Sequence, residues 1–255
     1  MPSDDVLRLN RVAKTFATAG GYGKVKALDK ISLSIPKGEF FAVVGPSGSG
    51  KSTLINLIAG FIRPTEGEII RNGQIVTKPG PDRVVVFQDQ AVFPWYTVEQ
   101  NIAYGLRPQA ISKAEIKHKT REALSLVGLD NFGNMYPSEL SGGMLQRTAL
   151  ARALVLQPDI LLLDEPFSAL DAVNRSHLQD ELLALWRIYG WTVIFVTHNL
   201  NEAVYLADRV AVLHPQPRGL SEIMLIKEPR PRSRRSDEAT ESASVLEDFL
   251  SATSR

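Results

Sequence analysis

Apolar positions along this chain follow two different rules. Ile31, Leu33 and Ile35 alternate with Ser32 and Ser34, the two-residue period of a strand with one wet face, and Pro36 and Gly38 close the run. Residues 40–44, 84–87, 160–163, 193–196 and 210–213 are instead continuously apolar, as in strands covered on both faces. The first pattern predicts a small antiparallel element near the N-terminus. The second predicts a buried, mainly parallel sheet.

Helical spacing lies between these runs. Ser112 and Glu115 form a capping-box pair ahead of Ile116, Ala123, Leu124 and Val127, and Gly128 is the stop. Leu178, Leu182, Leu185, Trp186 and Tyr189 share one helical face that ends at Gly190. From about residue 91 to 156 the period is helical with no convincing strand. This predicts a helical subdomain, 91–156, inserted into an α/β core made of residues 1–90 and 157–226. Past Lys227 the chain reads KEPRPRSRRSDE, which predicts an extended, solvated linker. Val245, Leu246, Phe249 and Leu250 then fall on one face of a terminal helix that docks, completing a segment of residues 227–255.

Composition narrows the chemistry. The 255 residues, 44% hydrophobic and 22% charged, are enough for a sizeable core. Basic and acidic residues number 29 and 28, so the net charge of +1 offers no field for nucleic acid or anionic lipid, and any polyanion must be held locally. With no cysteine, disulfides, thiolate nucleophiles and cysteine zinc sites are excluded. MPSDDV has none of the basic and apolar character of a secretory signal, and the apolar runs fall far short of the ~18 residues that span a bilayer. The expectation is a soluble, cytoplasmic chain that reaches a membrane only through a partner.

The sharpest motif is GPSGSGKS at residues 45–52, which fits GxxxxGKS and sits between an apolar strand and an apolar helix at residues 54–59. Its glycines let successive N–H groups converge on phosphates, and the following helix adds its N-terminal partial charge. Lys51 neutralises the β- and γ-phosphates, while the Ser52 hydroxyl takes a Mg²⁺ position. Magnesium prefers oxygen ligands and hydrolysis needs an oriented water. ILLLDE at residues 160–165 supplies both, with Asp164 for the metal and Glu165 as general base.

These residues are joined by LSGGMLQR at residues 140–147, and with it the chain resembles the ATP-binding cassette family, whose LSGGQ signature other P-loop ATPases lack. The resemblance covers nearly all of residues 6–226 and extends to Gln88, to SALD at residues 168–171 and to VTHN around His198. It implies a P-loop NTPase fold with a RecA-like core, an N-terminal antiparallel β subdomain and an inserted helical subdomain. It implies ATP and Mg²⁺ as ligands, with Gly45, Pro46, Ser47, Gly48, Ser49, Gly50, Lys51, Ser52 and Thr53 cradling the phosphates. By the same resemblance Gln88 touches the metal and the water, His198 contacts the γ-phosphate, Asp171 communicates between subunits, and Phe16 stacks on adenine, with Tyr22 as the alternative.

Ser141 can cap the helix that follows it, and with Gly142 and Gly143 it offers a second anion site at a helix N-terminus. One molecule cannot aim both sites at one γ-phosphate. The family's arrangement is a head-to-tail dimer in which residues 141–143 of one subunit close over ATP on Lys51 of the other. His118, His177 and His214 stand outside these motifs and read as structural.

GPDR at residues 80–83, VFPWYTV at 92–98 and PRPR at 229–232 look like the ATPase subunits of nitrate, sulfonate, taurine and bicarbonate importers. That implies separate transmembrane permease subunits, an external solute-binding protein acting through them, and a peripheral place on the cytoplasmic face of the inner membrane. An exporter cassette and a soluble, non-transport cassette are the alternatives. The aromatic run 93–96 is either local core or a groove for a short helix of the membrane subunit. Two departures from the family pattern are Leu145, where Gln is usual, and Asn199, where Asp is usual.

Overall fold

Residues of the continuously apolar runs alternate between two cores in the folded chain, which is why both parities had to be apolar. The computed structural model describes residues 5–18, 23–88, 91–168, 170–215 and 219–252. Its elements are β1 (Asp5–Ala17), β2 (Lys24–Pro36), β3 (Phe40–Val44), α1 (Lys51–Ala59), β4 (Glu66–Arg71), β5 (Gln74–Ile75) and β6 (Arg83–Val86). The chain continues through α2 (Val98–Ala103), α3 (Lys113–Leu126) and α4 (Gly142–Leu154). It closes with β7 (Ile160–Asp164), α5 (Ala172–Tyr189), β8 (Thr192–Thr197), α6 (Leu200–Leu206), β9 (Arg209–Leu213), β10 (Leu220–Leu225) and α7 (Asp237–Ala252).

The main sheet runs β10-β9-β3-β8-β7-β6. All its pairs are parallel except β10 with β9. Phe40, Ala42 and Val44 pack toward α4–α7, whereas Phe41 and Val43 pack toward α1 and the second sheet. That second sheet, β2-β1-β4-β5, is antiparallel. Helices α2–α4 enclose a third apolar cluster around Val98, Ile102, Leu124 and Ala151.

Three sequence expectations change in the fold. The alternation seen at residues 31–35 is one part of the longer strand β2, whose register with β1 shifts near Arg11 and Lys30. Both residues have positive φ, 48° and 46°, so bulges break the period that would have revealed β1. Tyr189 is half exposed and stacks on Trp191 at 4.7 Å instead of joining the buried face of α5. The segment after Lys227 is not solvated throughout, because Arg232 is only 8% exposed. Ser112 does cap α3, accepting from the Glu115 N–H at 3.1 Å, and the full reciprocal box occurs at Thr97 and Gln100 on α2.

The terminal helix α7 docks through Leu246, fully buried in the cluster that lines the main sheet. Leu246→Ala should therefore lower the unfolding free energy by about 2–4 kcal/mol, seen as a shift of the denaturant midpoint at constant slope. A loss below about 0.5 kcal/mol, the size of a surface change, would show that α7 lies outside the cooperative core.

Candidate functional site

The parallel strands deliver their chemistry at one end. The phosphate-loop residues 45–50 follow β3, Glu165 follows β7 and His198 follows β8. Register aligns them: Val44 pairs with Thr197, and Asp164 with Val196. The Glu165 N–H then donates to the Val196 carbonyl at 2.9 Å. Glu165 itself has φ 47°, an uncommon left-handed conformation in a non-glycine residue.

The loop at 45–52 is shaped by glycine at two positions. Gly50 has φ 105°, and a Cβ there would stand 2.7 Å from both the Ala27 carbonyl and a Leu28 methyl carbon. A Cβ on Gly45 would lie 2.4 Å from the Leu213 carbonyl oxygen. Lys51 opens α1 and is buried, donating to the carbonyls of Gly45 at 2.8 Å and Pro46 at 3.1 Å. Its ammonium also faces the Glu165 carboxylate at 3.7 Å. The Ser49 hydroxyl is fully buried with no hydrogen-bond partner, an orphaned polar group in a loop suited to an anion.

Glu165 is the hub. One oxygen faces Lys51 and the other lies 2.8 Å from His198 Nδ1. Asp164 beside it is pushed above the usual carboxylate range, chiefly by burial, with the Ser52 hydroxyl bond pulling the other way. Ser52 and Asp164 thus offer two adjacent hard oxygens. Among the described residues no group of three or more acidic, histidine or cysteine side chains forms a metal cage. That donor set fits Mg²⁺ shared with phosphate oxygens rather than a cation enclosed by protein.

The remaining predicted residues stand apart from this hub. Gln88 is exposed two residues past β6. Ser141 caps α4 by accepting from the Met144 N–H at 3.3 Å, and the space where a Cβ would sit on Gly142 or Gly143 is open. Phe16, on β1, is 40% exposed with the Lys14 ammonium 5.1 Å from its ring centre. Tyr22, its alternative, lies outside the described residues. Asn199 keeps the capping role open to Asp, accepting from the N–H groups of Asn201 and Glu202 at 3.0 and 3.3 Å. His118 and His177 pair with glutamates one turn on along their helices, and His214 is buried.

Sequence reasoning missed a buried relay behind His198. Glu202 on α6 accepts from the Thr197 hydroxyl at 2.7 Å and faces Arg175 of α5 at 3.7 Å. Arg175 in turn donates to the Leu170 carbonyl at 2.7 Å, reaching the residue before Asp171. Burial pushes the Glu202 carboxyl up. In the sequence Glu202 is an ordinary helical glutamate, and only the fold, which brings Thr197 of β8 and Arg175 of α5 to it, makes it a buried partner.

The local pattern also placed the aromatics after Gln88 too deep on one of its two readings. Trp95 is 66% exposed, and Phe93, Trp95, Tyr96 and Tyr104 form one ring cluster with neighbouring centroids 4.6–6.3 Å apart.

A buried two-faced sheet with a glycine-shaped anion loop and an Asp-Glu strand end defines a P-loop nucleoside triphosphatase. Residues 28–168 match the ABC transporter family, and the chain belongs to it as an ATP-hydrolysing subunit. It is 45% identical over 242 residues to the aliphatic sulfonates import ATP-binding protein SsuB of Bacillus cereus, covering 94% of each chain. It is 42% identical over 240 residues to the bicarbonate transport ATP-binding protein CmpD of Synechocystis, covering 91% of this chain and 84% of that one. Among solved structures, the ATP-binding cassette MJ0796 in a dimeric, post-hydrolysis state bound to ADP and Pi superposes with a TM-score of 0.77. That match has 32% identity and covers 88% of this chain and 100% of that one.

Asp171 gives a pH-dependent test of the local structure. Its carboxylate caps α5, accepting from the N–H groups of Val173 and Asn174 at 3.1 and 3.0 Å, and the Asn174 bonds hold its pKa below the usual range. A lowered folded value means that the stabilisation is complete above the unfolded value of about 3.9 and disappears as pH falls through the folded one. Asp171→Ala should lower the melting temperature at pH 7, and the gap should narrow as the pH drops below about 4. A gap independent of pH would show that the charged cap is not what Asp171 contributes.

Proposed function

We propose that this chain energises the import of a small anionic solute through separate membrane subunits by hydrolysing ATP in a head-to-tail dimer. The observation that carries the hydrolytic part is Glu165 held between Lys51 and His198 at the end of buried strands. Triphosphate oxygens take over the donors that Lys51 directs at Gly45 and Pro46, and the backbone N–H groups of residues 47–53 line the phosphates. The ammonium turned to the phosphate leaves the Glu165 carboxylate free to accept a proton from the attacking water. His198 faces the Glu165 carboxylate through Nδ1, and its ring contacts the γ-phosphate. Ser52, Asp164 and Gln88 would hold Mg²⁺, which neutralises the β- and γ-oxygens. Phe16, half exposed, is the stacking surface for adenine.

Residues 141–143 close over the nucleotide of the second subunit, a reading supported by their exposure and by the dimeric state of MJ0796. The import direction and the anionic solute rest on the sulfonate and bicarbonate transport proteins that the chain resembles. Residues 91–156 form the subdomain that passes the state of the nucleotide to the permease, starting at Gln88. The exposed ring cluster around Trp95 is the contact for a short permease helix at the cytoplasmic face of the membrane, since aromatic anchors dominate such interfaces. No helix among the described residues is long and apolar enough to cross a membrane.

Glu165→Gln should reduce turnover by about 100-fold or more, within the ~10²–10⁴ span of general-base contributions, while ATP still binds. Lys51→Ala should lose the binding. Gly142→Asp should bind ATP yet stay inactive, because its carboxylate would meet a γ-phosphate across the dimer. Steady-state hydrolysis together with filter binding of labelled ATP separates these cases, and wild-type turnover by Glu165→Gln would remove Glu165 from the role.

Trp95→Ala should leave ATP binding within about 2-fold while cutting co-purification with the permease about tenfold or more, the range of an interface anchor. Normal complex yield and transport in that variant would move the contact elsewhere.

A further inference from the structure

His198 has little around it to hold it in place. Its side chain is 60% exposed, so apart from the bond to Glu165 its position is set by the backbone that carries it. That backbone is the junction of β8 with α6, a helix of only seven residues, about 10 Å long. Whatever fixes the far end of so short a helix fixes the near end too.

The far end is held by arginines from the segment that precedes α7. Arg232 donates to the carbonyls of Val204 at 2.8 Å and Ala207 at 2.6 Å, groups left without helical partners at the C-terminus of α6. A second nitrogen of the same guanidinium donates to the Glu228 carbonyl at 2.8 Å, tying the clamp to its own segment. Arg230 donates to the Leu206 carbonyl and pairs with Asp208. Asp208 also accepts from the Phe40 N–H at 2.9 Å, at the start of the strand that leads into the phosphate loop. Arg234 stacks on the Tyr205 ring at 3.8 Å and reaches Asp180 of α5 at 2.6 Å. The three cations lie at alternate positions of one short segment that bends at residues 230–231 and turns at 234–235. Their charge also suits the negative end of the α6 dipole. Burial brings Arg232 down to about 10, still charged at neutral pH.

We propose that residues 230–234 are a positioning strap for ATP hydrolysis, which clamps α6 so that His198 stays in contact with Glu165. The strap makes no contact with the phosphate loop itself among the described residues, so it governs turnover and not nucleotide affinity. Arginine is required at 232 because its planar fork serves several carbonyls at once, whereas lysine offers a single point charge. The inference rests on the reading of Glu165 and His198 given above, and Glu165→Gln tests that reading separately.

The experiment uses the full chain with ¹⁵N-histidine labelling, the His198 resonance being assigned by its loss in His198→Gln. In Arg232→Ala the His198 Nδ1 signal should shift away from its Glu165-bonded position while those of His118 and His177 stay put. Turnover per ATP-binding site should fall about 10-fold with KM for ATP within about 2-fold, and Arg232→Lys should recover part of the loss. Arg234→Ala, at the exposed end of the strap, reads the same two quantities in a milder form should Arg232→Ala fail to fold. An unmoved His198 signal with wild-type turnover per site, in whichever of these variants is folded, would overturn the proposal and leave the strap a purely structural brace.

Discussion

Burying a parallel sheet on both faces leaves its strands no side on which to carry polar chemistry. In β3, β7 and β8 only the carboxyl ends emerge from the core, and the parallel register sets those ends side by side. Val44 opposite Thr197 and Asp164 opposite Val196 bring the phosphate loop, the acidic pair and His198 to one rim of the sheet. A single reversed strand would have sent one of these groups to the opposite edge.

At that rim most of the polar groups satisfy one another. Lys51 donates to carbonyls of its own loop and faces Glu165, whose second oxygen meets His198. Such an arrangement keeps a buried ammonium partnered, as burial requires. The Ser49 hydroxyl is the exception, and its orphaned state fits a loop whose polar groups are arranged for an incoming anion.

Arginines bind the layers of the molecule together at their seams. Arg209 grips Glu39 at 2.5 and 2.8 Å and also reaches the Ser34 carbonyl, joining the two sheets. Arg147 of α4 reaches Glu181 of α5 at 2.7 Å and the Val127 carbonyl at the end of α3. Each guanidinium serves more than one acceptor, a task for which its fixed fork is suited. Arg230, Arg232 and Arg234 extend the same construction to the C-terminal segment.

Much was legible in the sequence because it depends on neighbours a few residues away. Continuous apolar runs marked the central strands, GPSGSGKS marked the anion loop between strand and helix, and ILLLDE marked a buried strand with carboxylates at its end. What depends on residues far along the chain stayed hidden. The bulges at Arg11 and Lys30 broke the period of β1, and Arg232 in a run of basic residues looked solvated because its acceptors lie 25 and 28 positions earlier. Glu202 looked like a surface glutamate until α5 supplied Arg175. The sequence by itself determined the central strands, the anion loop and the acidic strand end, since local sterics and hydrophobic period decide these. Only the tertiary structure decided which charges are buried and what holds His198 against Glu165, because those contacts form when elements distant in sequence pack together.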